Sequence, residues 1–148
     1  MSLVIGIDPG VNMGIAVYID GKLEKLDTMG VLGAICWLPG QLSDNTLIVI
    51  EDSRMQSYMF TGSKDNRASA LKQARNLGSV DGICTLIAAI CATRKTELIC
   101  ISPKGKGKKL NKEEFEQKTG WKKPSNQHCR DAAVVAWRYR NGIAKLWT

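Results

Sequence analysis

The sequence LVIGIDPG at residues 3–10 gives the first structural signal of the chain. Its apolar run from Leu3 to Asp8 predicts a buried strand, and Pro9-Gly10 predicts a turn directly after it. A second turn is predicted at Asp20-Gly21, a dipeptide typical of two-residue hairpins. Two further strands, one on each side of that hairpin turn, are predicted at 14–19 and 22–29. Three strands joined by short turns make an antiparallel meander.

Helices and strands alternate in the rest of the chain. The run Leu47-Ile48-Val49-Ile50 is apolar on both faces, which is typical of a central parallel strand covered by helices. Asn111 and Glu114 form a capping-box pattern that predicts a short helix. The other predicted elements are helices at 31–42, 67–94 and 125–140 and a strand at 97–101. The sequence therefore predicts an α/β fold with a mixed five-stranded sheet, a three-strand antiparallel meander plus two parallel strands, flanked by helices.

Length and composition predict one folded domain, residues 1–148. Hydrophobic residues make up 44% and charged residues 24% of the chain, which excludes a disordered or collagen-like protein. We expect neither a membrane span nor a secretion signal, because no uninterrupted apolar run approaches about 20 residues and no basic segment precedes the first strand. The five cysteines are odd in number and form no CxxC pair, so a disulfide framework and a structural zinc site are not expected. A reduced, intracellular protein is the prediction.

Charge is divided unevenly along the chain. Residues 1–51 hold two basic and six acidic residues, whereas residues 94–123 hold ten basic and four acidic ones. A protein that grips phosphates with one part and presents carboxylates to a metal with another would show this division. A solvated lysine-rich face is the alternative explanation.

Three acidic residues stand where a shared site could form. Asp8 and Glu51 each end a predicted strand, and Asp131 shares a face of the last helix with His128. If the two strands are neighbours, their carboxylates would repel unless a divalent cation neutralised them, and carboxylates suit Mg²⁺ or Mn²⁺. The competing roles are an Asx-type turn bond for Asp8, a capping or hydrogen-bonded histidine for His128, and a helix-dipole interaction for Asp131.

These motifs and the order of the elements resemble the RuvC family of Holliday junction resolvases, which have a ribonuclease H-like fold. The likeness runs over most of the chain. It is carried by Ile5-Gly6-Ile7-Asp8-Pro9-Gly10 with Gly14 four residues on, Val49-Ile50-Glu51, the stretch 69–75, the loop 103–112, and His128-Cys129-Arg130-Asp131-Ala132. The resemblance implies a homodimeric, metal-dependent endonuclease that binds four-way DNA junctions and nicks two strands of like polarity symmetrically.

The same resemblance implies the site and its chemistry. The catalytic and metal-binding carboxylates of the family fall on Asp8, Glu51 and Asp131, and His128 fits a position occupied by histidine or aspartate. Two Mg²⁺ ions, which Mn²⁺ can replace, would activate a water and stabilise the leaving 3′ oxygen, so that hydrolysis leaves a 5′ phosphate and a 3′ hydroxyl. No small-molecule cofactor is expected.

DNA contacts are predicted in two segments. The loop that contains Gly105 and Gly107 also carries four lysines that would bind phosphates, namely Lys104, Lys106, Lys108 and Lys109. Tyr58 and Phe60 are candidates for an aromatic residue that stacks on a base at the branch point, with ordinary packing as the alternative. Both lie in the segment 52–60, which departs from the family pattern because it is longer and more polar.

The long helix is the predicted dimer contact. Gly78 and Gly82 inside it each cost about 1 kcal/mol relative to alanine, which predicts that a neighbouring backbone passes close by or that the helix is kinked. We expect the helix to pack against its counterpart in a second copy with both glycines near the contact.

Other functions fit parts of the pattern. A ribonuclease H-like ATP-binding domain of the actin and sugar-kinase type also begins with a strand, an aspartate and a glycine turn, although those proteins close two such domains around the nucleotide. A DNA-binding module without catalysis would explain the charge but not the three acidic positions. Within the nuclease class, a flap or an RNA–DNA hybrid could replace the junction as substrate. The expected location is the cytoplasm of a bacterium or of a phage-infected cell, or an organelle.

Overall fold

The structure, a computed structural model, describes residues 1–56, 67–105 and 107–142. Its strands are β1 (Leu3–Asp8), β2 (Asn12–Ile19), β3 (Lys22–Gly30), β4 (Thr46–Glu51) and β5 (Glu97–Ile101). Its α-helices are α1 (Val31–Trp37), α2 (Arg67–Thr93), α3 (Lys112–Thr119) and α4 (Gln127–Ala136). Short 3₁₀ turns lie at Leu38–Gln41, Ser53–Met55, Pro103–Gly105 and Trp137–Tyr139. The predicted elements are confirmed, but α1 and α4 are shorter than predicted because the chain tightens into a 3₁₀ turn after Trp37 and after Ala136.

The five strands form one mixed sheet in the order β3-β2-β1-β4-β5. The first three strands pair antiparallel, whereas β4 pairs parallel with both β1 and β5. Asp20 and Gly21 have φ angles of 49° and 85°, as the predicted two-residue hairpin turn requires. The predicted fold class, including the central position of the strand that is apolar on both faces, is confirmed.

Helices cover both faces of the sheet. Side chains alternate along each strand, so Ile5 and Ile48 face one core cluster with α1 and α2, whereas Val4 and Val49 face a second cluster with α3 and α4. The molecule is therefore a three-layer sandwich in which α4 and the DNA-binding loop predicted from the sequence lie on the second face.

Helix α4 packs unusually close to the sheet because glycines replace side chains beneath it. A Cβ atom at Gly14 would overlap the backbone carbonyl of His128 and lie 2.9 Å from the amide nitrogen of Cys129. A Cβ atom at Gly6 would overlap the carbonyl of Ala132 and lie 2.8 Å from the Cβ of Ala136. The small residues of α4 thus pack on the glycines of β1 and β2, as its alanines predict.

A buried hydrogen bond adds to this contact. The hydroxyl of Tyr18 on β2 donates to the carbonyl of Ala133 at 2.7 Å, and burial raises the pKa of that phenol well above its usual range. The bond joins parts of the chain that are 115 residues apart. It fixes α4 laterally on the sheet.

Helix α2 is only partly packed. Its buried residues, Ile83, Cys84, Ile87 and Cys91, all lie in its second half against the first core cluster. By length and composition alone the helix could cross a membrane, with a mean hydropathy of 1.4 over an 18-residue window that is 17% buried. Its apolar residues form no uninterrupted run, because polar residues are spread along the helix.

The described part of the chain places no neighbouring backbone at the α2 glycines. Apart from the helix itself, no described atom lies within 4 Å of the position of a Cβ atom at Gly78 or Gly82. The described helix also runs without interruption from Arg67 to Thr93. With respect to the described residues both glycines face open space, which is where a second molecule would have to lie if they mark a contact.

Candidate active site

Asp8 and Glu51 lie at the same edge of the sheet. They are the last residues of β1 and β4, and the parallel register pairs Ile7 with Ile50 immediately before them. Both side chains are half-buried. The condition for a shared site, that these two strands are neighbours, is met, and it brings the two carboxylates to adjacent strand ends.

Both acidic residues are on the face of the sheet that α4 covers. Asp8 follows Gly6 by two residues, and Glu51 follows Val49 by two, so each shares the side of its strand that faces α4. The backbone carbonyl of Glu51 also accepts a hydrogen bond from the Sγ of Cys84 at 3.8 Å, which connects the strand end to α2.

Helix α4 adds two more of the predicted residues. Its start is fixed by Asn126, whose side chain accepts a hydrogen bond from the amide of Cys129 at 3.0 Å. The Nδ1 of His128 then lies 3.5 Å from the Oδ2 of Asp8. Asp8 and His128 line a cleft of about 350 Å³ together with Asp131. The other residues that line it are Pro9, Gly10, Val11, Asn12, Lys109 and Gln127.

Asp131 is buried and has polar partners. Its side chain is 7% exposed, and its Oδ1 accepts a hydrogen bond from the Nε2 of Gln127 at 2.7 Å. Its Oδ2 is 3.9 Å from the Nζ of Lys109, which is largely exposed. A buried carboxylate is costly without such partners, so this residue is held in place for a purpose other than packing.

The residues match the chemistry of a hard divalent cation, but their arrangement does not by itself show one. Carboxylates are suitable ligands for Mg²⁺ or Mn²⁺, whereas imidazole is a more typical ligand of Zn²⁺ and other transition metals. Within residues 1–56, 67–105 and 107–142, however, no group of three or more histidine, cysteine, aspartate or glutamate side chains is placed to hold a metal ion. Glu51 is not among the described residues that line the cleft. The metal site stays a prediction.

A polar network that the sequence did not predict follows Glu51. Asp52 is only 2% exposed, and Arg54 binds both of its carboxylate oxygens, with Nε 2.9 Å from Oδ1 and Nη2 2.7 Å from Oδ2. The hydrogen bonds from Arg54 hold the pKa of Asp52 below its usual range. Ser53 donates to Asp81 of α2 at 2.6 Å. The network fixes the chain immediately after Glu51; its only sequence signal is a polar run after a buried strand.

The predicted DNA-binding lysines differ in their surroundings. Lys104, Lys108 and Lys109 are exposed, and Lys108 forms a 2.8 Å ion pair with Glu114 that lowers the pKa of that carboxyl. Lys109 is the member that reaches the cleft. Lys106, Tyr58 and Phe60 lie outside the described residues, so their predicted DNA contacts stay predictions.

Comparison with known proteins gives a structural match only. No protein-family model matches the chain, and no curated protein matches it. Among solved structures it is similar to T. thermophilus RuvC in complex with Holliday junction substrate, with a TM-score of 0.60 and 15% sequence identity. The match covers 95% of this chain and 98% of that one. At this identity the likeness shows the fold, and it confirms the predicted ribonuclease H-like architecture over nearly the whole chain.

Proposed function

We propose that this chain is a metal-dependent, structure-selective endodeoxyribonuclease that resolves four-way DNA junctions. The observation that carries the proposal is the convergence of acidic residues from three distant parts of the chain. Asp8 and Asp131 line one cleft, and Glu51 ends the neighbouring strand on the same face of the sheet.

Each residue has a role that its position supports. Asp8, Glu51 and Asp131, with His128 beside Asp8, would hold Mg²⁺, which when bound lowers the pKa of water and neutralises charge on the phosphate. Lys109 points its ammonium group toward the same cleft, where it can bind a phosphate oxygen and set the position of the scissile bond.

The substrate class rests on charge and on the fold. The exposed lysines of the loop before α3 supply affinity for the DNA backbone that does not depend on base sequence. One solved structure with the same fold is that of a protein in complex with a Holliday junction substrate. A four-way junction is therefore the first substrate to test, against a fork, a linear duplex and an RNA–DNA hybrid, each with Mg²⁺ and with Mn²⁺.

Neutralisation of Asp8 tests the chemistry. Loss of a group that only orients a metal ligand costs about 10- to 100-fold in activity. Asp8 is proposed to bind the metal directly, so we expect Asp8→Asn to lower the rate of junction cleavage by more than about 100-fold. Binding of the junction should persist or tighten, because a negative charge that faces phosphate is removed. Asp44→Asn, at an exposed loop position, is the matched control. Cleavage by Asp8→Asn at the rate of that control would disprove the proposal.

A homodimer is the proposed active form, with α2 as the contact. Leu71, Gly78, Gly82 and Leu86 lie on one side of the helix, and both leucines are exposed, by 53% and 42%. Paired nicks in one junction require two sites, which a symmetric dimer supplies.

We expect the wild type to sediment as a dimer at micromolar concentration and Leu86→Glu to sediment as a monomer. The variant should also yield single nicks in place of paired ones. Leu32→Glu, at an exposed position of α1, controls for the added charge. A wild-type protein that sediments as a monomer in the presence and absence of DNA would contradict the proposal of a dimer.

A further inference from the structure

Gln127 lies between a cation and the buried carboxylate of the cleft. Its Oε1 accepts a hydrogen bond from the Nη2 of Arg130 at 3.3 Å, and its Nε2 donates to the Oδ1 of Asp131 at 2.7 Å. The three side chains belong to the first turns of α4. They form a chain of hydrogen bonds that runs from the guanidinium group to the carboxylate.

The chemistry of the three groups fixes the direction of this chain. A guanidinium group has donors only, so the amide of Gln127 must turn its oxygen toward Arg130. Its NH₂ group then faces Asp131, which as a carboxylate can only accept. Arg130 and Asp131 therefore favour the same orientation of the Gln127 amide.

Arg130 is itself held by the backbone on two sides. Its Nε donates to the carbonyl of Leu110 at 3.1 Å, and its Nη1 donates to the carbonyl and the Oγ of Ser125 at 2.9 and 3.1 Å. Leu110 directly follows Lys109, the lysine of the cleft. One guanidinium group therefore connects the end of the basic loop, the segment before α4 and the partner of Asp131.

We propose that Arg130 and Gln127 are positioning residues, which hold one oxygen of Asp131 so that the other is presented to the cleft beside Lys109. The inference rests on the proposed nuclease function. The basic loop and α4 would keep a fixed separation, because Arg130 belongs to α4 and donates a hydrogen bond to the carbonyl of Leu110 at the end of the loop. A rigid arrangement of this kind lowers the reorganisation needed when the phosphate and the cation are bound.

Gln127→Glu separates positioning from simple packing. The variant keeps the length of the side chain and an acceptor for Arg130, so an exclusively structural contact would survive or strengthen. It loses the donor to Asp131 and places a like charge beside it. We expect the cleavage rate at saturating junction to fall about 10- to 100-fold and the Mg²⁺ concentration for half-maximal rate to rise, while the Kd for the junction in Ca²⁺ changes less than about threefold.

Gln127→Met should behave in the same way, because it also removes the donor. Gln117→Met, at an exposed position of α3, is the matched control. Thermal unfolding of each variant identifies losses that come from unfolded protein. If Gln127→Glu and Gln127→Met cleave at the rate of Gln117→Met, the positioning role is disproved.

A second measurement does not depend on cleavage. In NMR spectra of the wild type without metal, the side-chain NH₂ signals of Gln127, identified by their loss in Gln127→Met, should shift in Arg130→Met but not in Arg138→Met. Unchanged signals in Arg130→Met would disprove the hydrogen-bond chain. If Arg130→Met does not fold, the Gln127 variants decide the matter. A wild type that cleaves none of the DNA substrates, but shows the NMR shift, would refute the nuclease and leave the hydrogen-bond chain standing.

Discussion

Gly14→Ala should separate activity from folding, because Gly14 lies beneath the first turn of α4. The added methyl group would overlap the carbonyl of His128 and come within 2.9 Å of the amide nitrogen of Cys129. Both neighbours are backbone atoms and cannot rotate away, so β2 or α4 must shift by more than about 1 Å to restore ordinary contact. Overpacking of this kind costs about 1–3 kcal/mol.

The shift should affect the reaction more than the fold. A free energy of unfolding of about 5–15 kcal/mol leaves most molecules folded after such a loss. The helix that moves carries His128 and Asp131, and a displacement of about 1 Å at reacting groups can lower a rate about 100-fold. We therefore expect Gly14→Ala to remain folded at 25 °C and to cleave junctions about 100-fold more slowly than the wild type.

The assay measures thermal unfolding and the single-turnover cleavage rate on the same preparations. Gly33→Ala in α1 is the control, because no described atom outside its local chain lies within 4 Å of the new methyl group. Wild-type cleavage by a folded Gly14→Ala would refute the close-packing argument. A rate that falls only in proportion to the unfolded fraction would refute the claim that α4 positions the site.

Two further predictions concern groups outside the cleft. Arg54→Met should lower the free energy of unfolding by about 3 kcal/mol in urea titrations, since it leaves the buried Asp52 carboxylate without its partner. The control Arg138→Met, at an exposed position, should change it by less than about 0.5 kcal/mol. Equal effects of the two variants would contradict a stabilising role of the Arg54–Asp52 pair. Burial raises the pKa of Cys91 to about 11, and burial with the nearby Asp52 does the same for Cys100. Both thiols therefore stay protonated at pH 8, and we expect only the exposed Cys36 to react rapidly with a thiol reagent in the native protein. The number of fast-reacting thiols is counted by absorbance. More than one fast thiol per chain, or a fast thiol in Cys36→Ser, would contradict this expectation.

The sequence predicts the sheet well because its signals are local. The alternation and apolar runs of the strands, the Asp20-Gly21 turn and the capping box at Asn111 each depend on a few adjacent residues, and each is found in the structure. The neighbouring positions of β1 and β4 follow from a strand that is apolar on both faces and therefore central.

The parts that were not predicted depend on contacts between distant segments. Nothing in the residues near Arg130 shows that its guanidinium reaches the carbonyl of Leu110, 20 positions earlier. Arg54, the partner of Asp52, is nearby in sequence, but the burial of Asp52 comes from tertiary packing, which the local sequence does not show. For the glycines of α2, a propensity argument indicates a cost but not which molecule is the neighbour, so their predicted contact with a second copy stays a prediction.

Helix α4 has a consequence for the cell that makes this protein. It follows every strand of the sheet in the chain, and it brings Asp131 and His128 to Asp8, which is synthesised near the beginning. A ribosome-bound chain that has not yet released α4 has a nearly finished sheet but lacks half of the proposed catalytic groups. If the proposed function is right, a chain that stops before α4 would keep all five strands but lack two of the four proposed catalytic groups, and we expect it not to cleave DNA.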